Sequence, residues 1–287
     1  MEDKIAGTSA SPRLDPNSPF GRFVQRHEAA NRWFRSTNVA YMAAQMLAGE
    51  RDSTALAQTL LPQKLRWEYT FQHYPGRHSD LERTSKATVA DFLLDLREGW
   101  QALLRATIIR EVGALEIFLR EWATDALQAA ITAEGASLQS ATRQALRTAL
   151  EDLTSDPFRT VSLTKIGGFF PAVKGVLTGS THLRSLRPML APGTPDLSCQ
   201  TVAELWREVR NLLLHHDGIV HSRFFEKHGE LWMVLQKKAR ERGSAIALRK
   251  SEVGKSLPVV TRHVIWCFTT CYQTAVVLYL ATKQGEA

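Results

Sequence analysis

The sequence predicts an all-α protein, and two observations carry that prediction. Apolar residues recur every three to four positions over long runs, and most of the Gly and Pro residues that would break a helix fall between those runs. The longest run covers residues 89 to 133, where Leu93, Leu96, Trp100, Leu103, Leu104, Ile108, Val112, Leu115, Leu119 and Trp122 make one stripe at helical spacing. A shorter run, residues 204 to 218, joins an apolar face to a polar one and closes on Asp217-Gly218.

In chain order, residues 1 to 19 are rich in Ser, Pro, Gly and Asp without an apolar period and read as a flexible leader. A helix follows from Phe20 to about Leu47, and Arg51 to Tyr74 continues the pattern across Pro62 until Pro75-Gly76 ends it. Ser79-Asp80 and Ser85 to Val89 supply start signals for the long helix, and residues 137 to 153 read as a further helix. Between 156 and 195, Pro157, Gly167-Gly168, Gly179, Pro188, Pro192, Gly193 and Pro195 divide the chain into short elements. Thr201, with Glu204 three residues on, has the form of a capping box for the next helix. Residues 229 to 253 read either as a short β-hairpin, with Leu231–Leu235 and Ala245–Leu248 as strands, or as one more helix. A final helix is expected over residues 257 to 282.

Composition sets bounds on function. The 287 residues suffice for a substantial core, and 44% hydrophobic with 23% charged residues is ordinary for a globular protein. A formal net charge of +7 and a pI near 9.5 favour a polyanionic partner without choosing between nucleic acid and a membrane surface. Three cysteines, Cys199, Cys267 and Cys271, are too few and too unevenly placed for a disulfide framework, which fits a reducing compartment. The start Met-Glu-Asp-Lys-Ile carries no apolar signal region, so a cytoplasmic location is expected. Val264 to Ala281 reaches the lower length of a membrane span, but Thr269, Thr270, Gln273 and Thr274 interrupt it and favour a buried core helix.

The run from 204 to 218 concentrates the candidate chemistry. Leu205, Val209, Leu212 and His216 follow the apolar face, while Glu204, Glu208, Asn211 and His215 lie on a neighbouring stripe. Asn211 and His215 are four residues apart, close enough for their side chains to meet, and Arg210 points about a quarter-turn from Asn211.

The segment Arg210-Asn211-Leu-Leu-Leu-His215 resembles the R-x(4–6)-H motif of the HEPN superfamily (higher eukaryote and prokaryote nucleotide-binding domains). The following His-Asp-Gly-Ile-Val is similar to the polar-Gly-Ile/Val turn of its R-N-x-x-x-H subset. The resemblance covers residues 85 to 285 and implies a HEPN-like helical bundle with the motif near the end of its third core helix. On that frame residues 20 to 80 are an N-terminal helical extension, unless the helix from Phe20 supplies the first core helix, and residues 137 to 200 are an insertion. The resemblance further implies a homodimer in which two motifs face one cleft as a composite active site.

The residue types suit metal-independent cleavage of RNA. Such a reaction deprotonates the 2′-hydroxyl, which attacks the adjacent phosphate and leaves a 2′,3′-cyclic phosphate and a 5′-hydroxyl. It needs a proton shuttle, for which His215 is suited, and a fixed positive charge, for which Arg210 is suited. Asn211 can orient the histidine or hold the phosphate, and Arg207 and Arg223 are rim contacts for RNA. No cofactor is expected. His215, His216 and His221 lack the spacing and the cysteine neighbours of a zinc site, so no metal is expected either.

Each of these residues also has a structural explanation. Arg210 can pair with Glu204 or Glu208 on an exposed helix end, and His216 reads as a partly buried packing residue. Glu111 and Glu116 either add a carboxylate to the cleft or serve as an exposed residue and a helix-pairing residue. The Lys237, Lys238, Arg240, Arg242 run is a solvated face or an RNA contact. The leading expectation is a toxin or phage-defence endoribonuclease acting on RNA, with an antitoxin or regulatory partner in view and no membrane. The alternatives are a non-catalytic HEPN scaffold that dimerises or senses nucleotides beside a partner protein, and a membrane-attached helical protein anchored by residues 264 to 281.

Overall fold

The computed structural model describes residues 14–49, 89–133, 140–156, 161, 163–179, 181–190, 197–241 and 253–285. Among these the regular elements are helices: α1 (Pro19–Gly49), α2 (Val89–Ala133), α3 (Ser140–Ser155), α4 (Leu163–Phe169), α5 (Pro171–Leu177), a 3₁₀ turn (Arg184–Met189), α6 (Cys199–His215), α7 (Ser222–Glu241) and α8 (Thr261–Gly285). The expected helix over residues 51 to 74 lies outside the described residues, as does most of the leader.

Two compact units divide the chain. One comprises residues up to Asn31 together with Leu104–Ala287, and the other comprises Arg32–Leu103. In the smaller unit, Tyr41 of α1 stacks on Trp100 of α2 with ring centroids 4.4 Å apart, and Phe34 lies 6.2 Å from the same indole. In the larger unit, the first turns of α1 pack Phe23 against Phe118 of α2 at 5.3 Å and Phe20 against Tyr279 of α8 at 4.4 Å. Arg22 and Arg26 of α1 both reach Glu121 of α2.

Helix α8 is the packing hub of the larger unit, in contact with α5, α6 and α7. Residues 261–282 are long and apolar enough to cross a membrane by composition, yet 56% of the apolar window is buried within the chain. The polar residues in its middle are accommodated one by one. Thr270 donates its hydroxyl to the Trp266 carbonyl and Thr274 donates to the Thr270 carbonyl, both at 2.9 Å, so neither hydroxyl is left without a partner in the core. Cys267 and Cys271 are buried on the same helix and Cys199 is buried at the start of α6, all three as free thiols.

The proposed hairpin strand Leu231–Leu235 is instead the middle of α7. Phe224, Leu231, Trp232, Leu235 and Ala239 are buried at helical spacing. Taken alone, Leu231, Met233 and Leu235 mimic a two-residue period, but the stripe continues on both sides with a helical one. The second proposed strand, Ala245–Leu248, lies outside the described residues. An isolated antiparallel bridge joins Ile219 to Ser256. Helix α8 also starts later than expected, because Leu257 donates its N–H to the Gly218 carbonyl at 2.7 Å and holds residues 257–260 out of the helix.

Two histidines serve the core as neutral groups. His263 at the third position of α8 accepts the Val260 N–H on Nδ1 at 3.3 Å, and its full burial lowers its pKa to about 3. His228 on α7 is lowered to about 4, mainly by burial and then by Lys227. Both folded values lie below 6.5, so in the window between them the unfolded chain binds protons that the native chain does not. Stability is therefore full above about pH 6.5 and falls as pH drops from there toward about 4 and then 3, by up to ~1.4 kcal/mol per pH unit for each histidine. The Glu111 carboxyl, raised by burial, works in the opposite sense. Urea midpoints measured from pH 7.5 down to about pH 4.5 are expected to fall, and the fall should be smaller in His228→Phe. An identical pH profile in that variant would contradict the account.

Candidate active site

Helix α6 begins with Ser198 as its N-cap, the hydroxyl oxygen accepting the Thr201 N–H at 3.1 Å. The cap expected at Thr201 is thus one turn too late, and Glu204 instead accepts from Gln200 at 3.2 Å. Val202, Leu205, Trp206, Val209 and Leu212 are buried, which sets the rotation of the helix and turns the opposite stripe outward. Trp206 is wholly buried with its indole N–H donated to Thr270 of α8 at 3.2 Å.

The helix ends at His215. The Leu212 carbonyl accepts N–H groups from both His216, at 3.1 Å, and Gly218, at 2.8 Å. Asp217 and Gly218 have φ values of 50° and 74°, the left-handed conformation that turns the chain away from the helix axis. His221 then caps α7, its Nδ1 accepting the Phe224 N–H at 3.0 Å. In the neutral imidazole this bond places the proton on Nε2.

The three motif residues occupy one helix end in different environments. His215 is exposed in the last turn. Arg210 is partly buried, donating from Nη1 to the Asn211 amide oxygen at 3.1 Å and placing Nη2 3.7 Å from Glu116 Oε2. The amide oxygen of Asn211 is therefore engaged by its neighbour, and among the described residues no hydrogen bond joins Asn211 to His215. The carboxylate that reaches Arg210 comes from α2 rather than from Glu204 or Glu208 on its own helix.

Glu116 is a shared counter-ion. Its second oxygen lies 3.7 Å from Arg207 Nε, and Arg207 also donates to the Val161 carbonyl at 3.3 Å. Arg207 is thus turned toward the interior, whereas Arg223 is exposed in the first turn of α7. Of the two carboxylates considered on α2, Glu116 belongs to the motif and Glu111 does not. Glu111 is buried beside His27 of α1, 2.5 Å from Nδ1, and burial raises its pKa against the lowering effect of that bond. His216, expected on the apolar face, is exposed because the helix has already ended, and its ring meets that of His221 edge-on at 5.2 Å. Lys237 is exposed near the end of α7, and Arg242 lies outside the described residues.

Sequence reasoning passed over Arg105. Its guanidinium carbon lies 3.6 Å from the place a Cβ would take on Gly218, and its Nη2 donates to Ser256 Oγ at 2.7 Å. A signal was available: Arg105 and Glu116 are eleven residues apart, about three turns, and so lie on one face of α2. Among the described residues no group of three or more His, Cys, Asp or Glu side chains converges as a metal site requires. No family model, curated protein or solved structure matches the chain.

The two left-handed residues respond oppositely to substitution. Gly218→Ala adds a methyl 3.3 Å from Leu213 Cδ2 at a φ that disfavours any side chain. It is expected to cost ~1–2 kcal/mol by urea denaturation. Asp217→Gly removes the same kind of strain and should be neutral or gain up to ~1 kcal/mol. Equal shifts of the same sign would show that the turn is not what sets the cost.

Proposed function

We propose that this chain is a metal-independent endoribonuclease of HEPN type. One observation carries the reading: an exposed histidine sits one turn beyond an Arg-Asn pair at the end of α6, and a carboxylate from α2 fixes that arginine. His215 takes the proton of an RNA 2′-hydroxyl, the 2′-oxygen attacks the adjacent phosphorus, and the bond to the 5′-oxygen breaks. Arg210 faces the phosphate oxygens as negative charge builds on them, and Asn211 holds its guanidinium in place. The 5′-oxygen leaves with a proton from a second imidazole, supplied by His215 of a second copy in a two-fold dimer. Arg223 contacts RNA at the rim, and Arg207 positions Glu116. In this reading the protein acts in the cytoplasm as a toxin or phage-defence effector, held in check by an antitoxin or a regulatory partner.

A second reading draws on one specific observation. Arg210 is already satisfied in part by Glu116 and Asn211, as suits a HEPN scaffold that dimerises or senses nucleotides beside a partner and catalyses nothing.

Purified protein incubated with RNA in excess chelator separates the two. Cleavage that leaves 2′,3′-cyclic phosphate ends is expected, reduced by roughly 10²-fold or more in His215→Ala and in Arg210→Ala. Cleavage that needs a divalent metal, or that persists in both variants, sinks the mechanism. An inert wild-type chain that still dimerises favours the scaffold.

A further inference from the structure

Within the larger unit two glutamates each serve two arginines. Arg22 and Arg26 share Glu121, and Arg207 and Arg210 share Glu116. Arg105 is different. Its one hydrogen bond goes to a neutral acceptor, Ser256 Oγ, and no carboxylate pairs with it among the described residues. Its Nε is buried without a hydrogen-bond partner, so the guanidinium is held part-way inside the protein, and among the described residues no carboxylate offsets its charge. A fixed, partly desolvated cation costs stability, and a site that retains one has its charge matched when an anion arrives.

Its position gives that anion a place. Arg105 lies over Gly218, three residues beyond His215, whereas Glu116 and Arg210 meet three turns away along the same face of α2. His215 is therefore bracketed along the chain by two arginines, Arg210 before it and Arg105 packed on the turn after it. Lys255, exposed beside Ser256, adds charge at the Arg105 end.

The geometry points to Arg105 as a second phosphate subsite, which holds a phosphodiester group flanking the one cut beside His215. Among the described residues no hydrogen bond engages its Nη1, and the guanidinium offers the planar fork that fits phosphate oxygens. Ser256 fixes the rotation of the guanidinium, and Gly218, lacking a side chain, lets it lie flat against the motif turn. This subsite rests on the ribonuclease reading for its ligand, an RNA strand, and it gives Arg105 a binding role without any proton transfer.

The test uses the full chain in a His215→Ala background, so that RNA is bound but not cut. Binding of a single-stranded RNA oligonucleotide is followed by fluorescence anisotropy across a salt series with chelator present. Arg105→Gln is expected to weaken binding about tenfold and to reduce the slope of log affinity against log salt by about 0.7, the signature of one lost phosphate contact. Its melting temperature should stay level or rise, because a partly desolvated charge is gone. Ser256→Ala, which removes only the hydrogen bond, should leave the slope unchanged, and Arg105→Lys should restore it.

An unchanged slope in Arg105→Gln overturns the subsite, and so does an equal loss in Ser256→Ala, which would make Arg105 a tie between helix and loop. The two proposals fail separately. If the wild-type chain binds RNA with an Arg105-dependent slope but never cleaves it, the nuclease falls and the subsite stands. If it cleaves RNA while Arg105→Gln binds as wild type does, the subsite falls alone.

Discussion

A single hydrogen bond from a buried indole ties the motif helix to α8, the helix on which its neighbours pack. Trp206 is wholly enclosed, and its donor ends on the Thr270 hydroxyl, which in turn donates to the Trp266 carbonyl within α8. Leaving such a group unmade costs about 1–3 kcal/mol, so the bond fixes both the height of α6 on α8 and its rotation. Trp232 of α7 packs edge-on against Trp206 at 6.1 Å and faces His263 of α8 at 4.5 Å, which brings the third helix into the same lock. With α6 held there, Arg210 is carried to Glu116 and the motif turn to Arg105.

Much of this was legible in the sequence, and the boundary of legibility has a physical cause. Helix α2 spans residues 89–133 as read, because a long stripe of Leu, Ile, Val and Trp admits one period only. The end of α6 was equally clear, since Asp217-Gly218 is a local signal and the left-handed turn is a local event. What the sequence hid was set by partners distant along the chain. Arg210 chose Glu116, ninety-four residues upstream, over two glutamates on its own helix, and the Thr201 cap lost to Ser198, one turn earlier. The supposed strand in α7 failed because a five-residue window cannot separate two periods that share its residues.

The motif helix also shows how neighbouring positions divide their duties. Arg210 and Asn211 bond to each other and to α2, while His215 is left exposed and His216 already belongs to the turn. One carboxylate serves two guanidiniums here, while Arg105 on the same face of α2 bonds to a neutral hydroxyl.

The three thiols acquire a use from where they sit. Cys199 opens α6, and Cys267 and Cys271 lie on α8, so all three flank the contact that holds the motif in place. Cys199 stands at a helix N-terminus, which ordinarily makes a thiol more acidic, yet burial raises its pKa instead, as it does for the other two. A folded molecule therefore offers alkylating reagents almost no thiolate, and modification has to wait for α6 and α8 to part. The chain carries its own clock for that opening, readable by mass without adding a label to the motif.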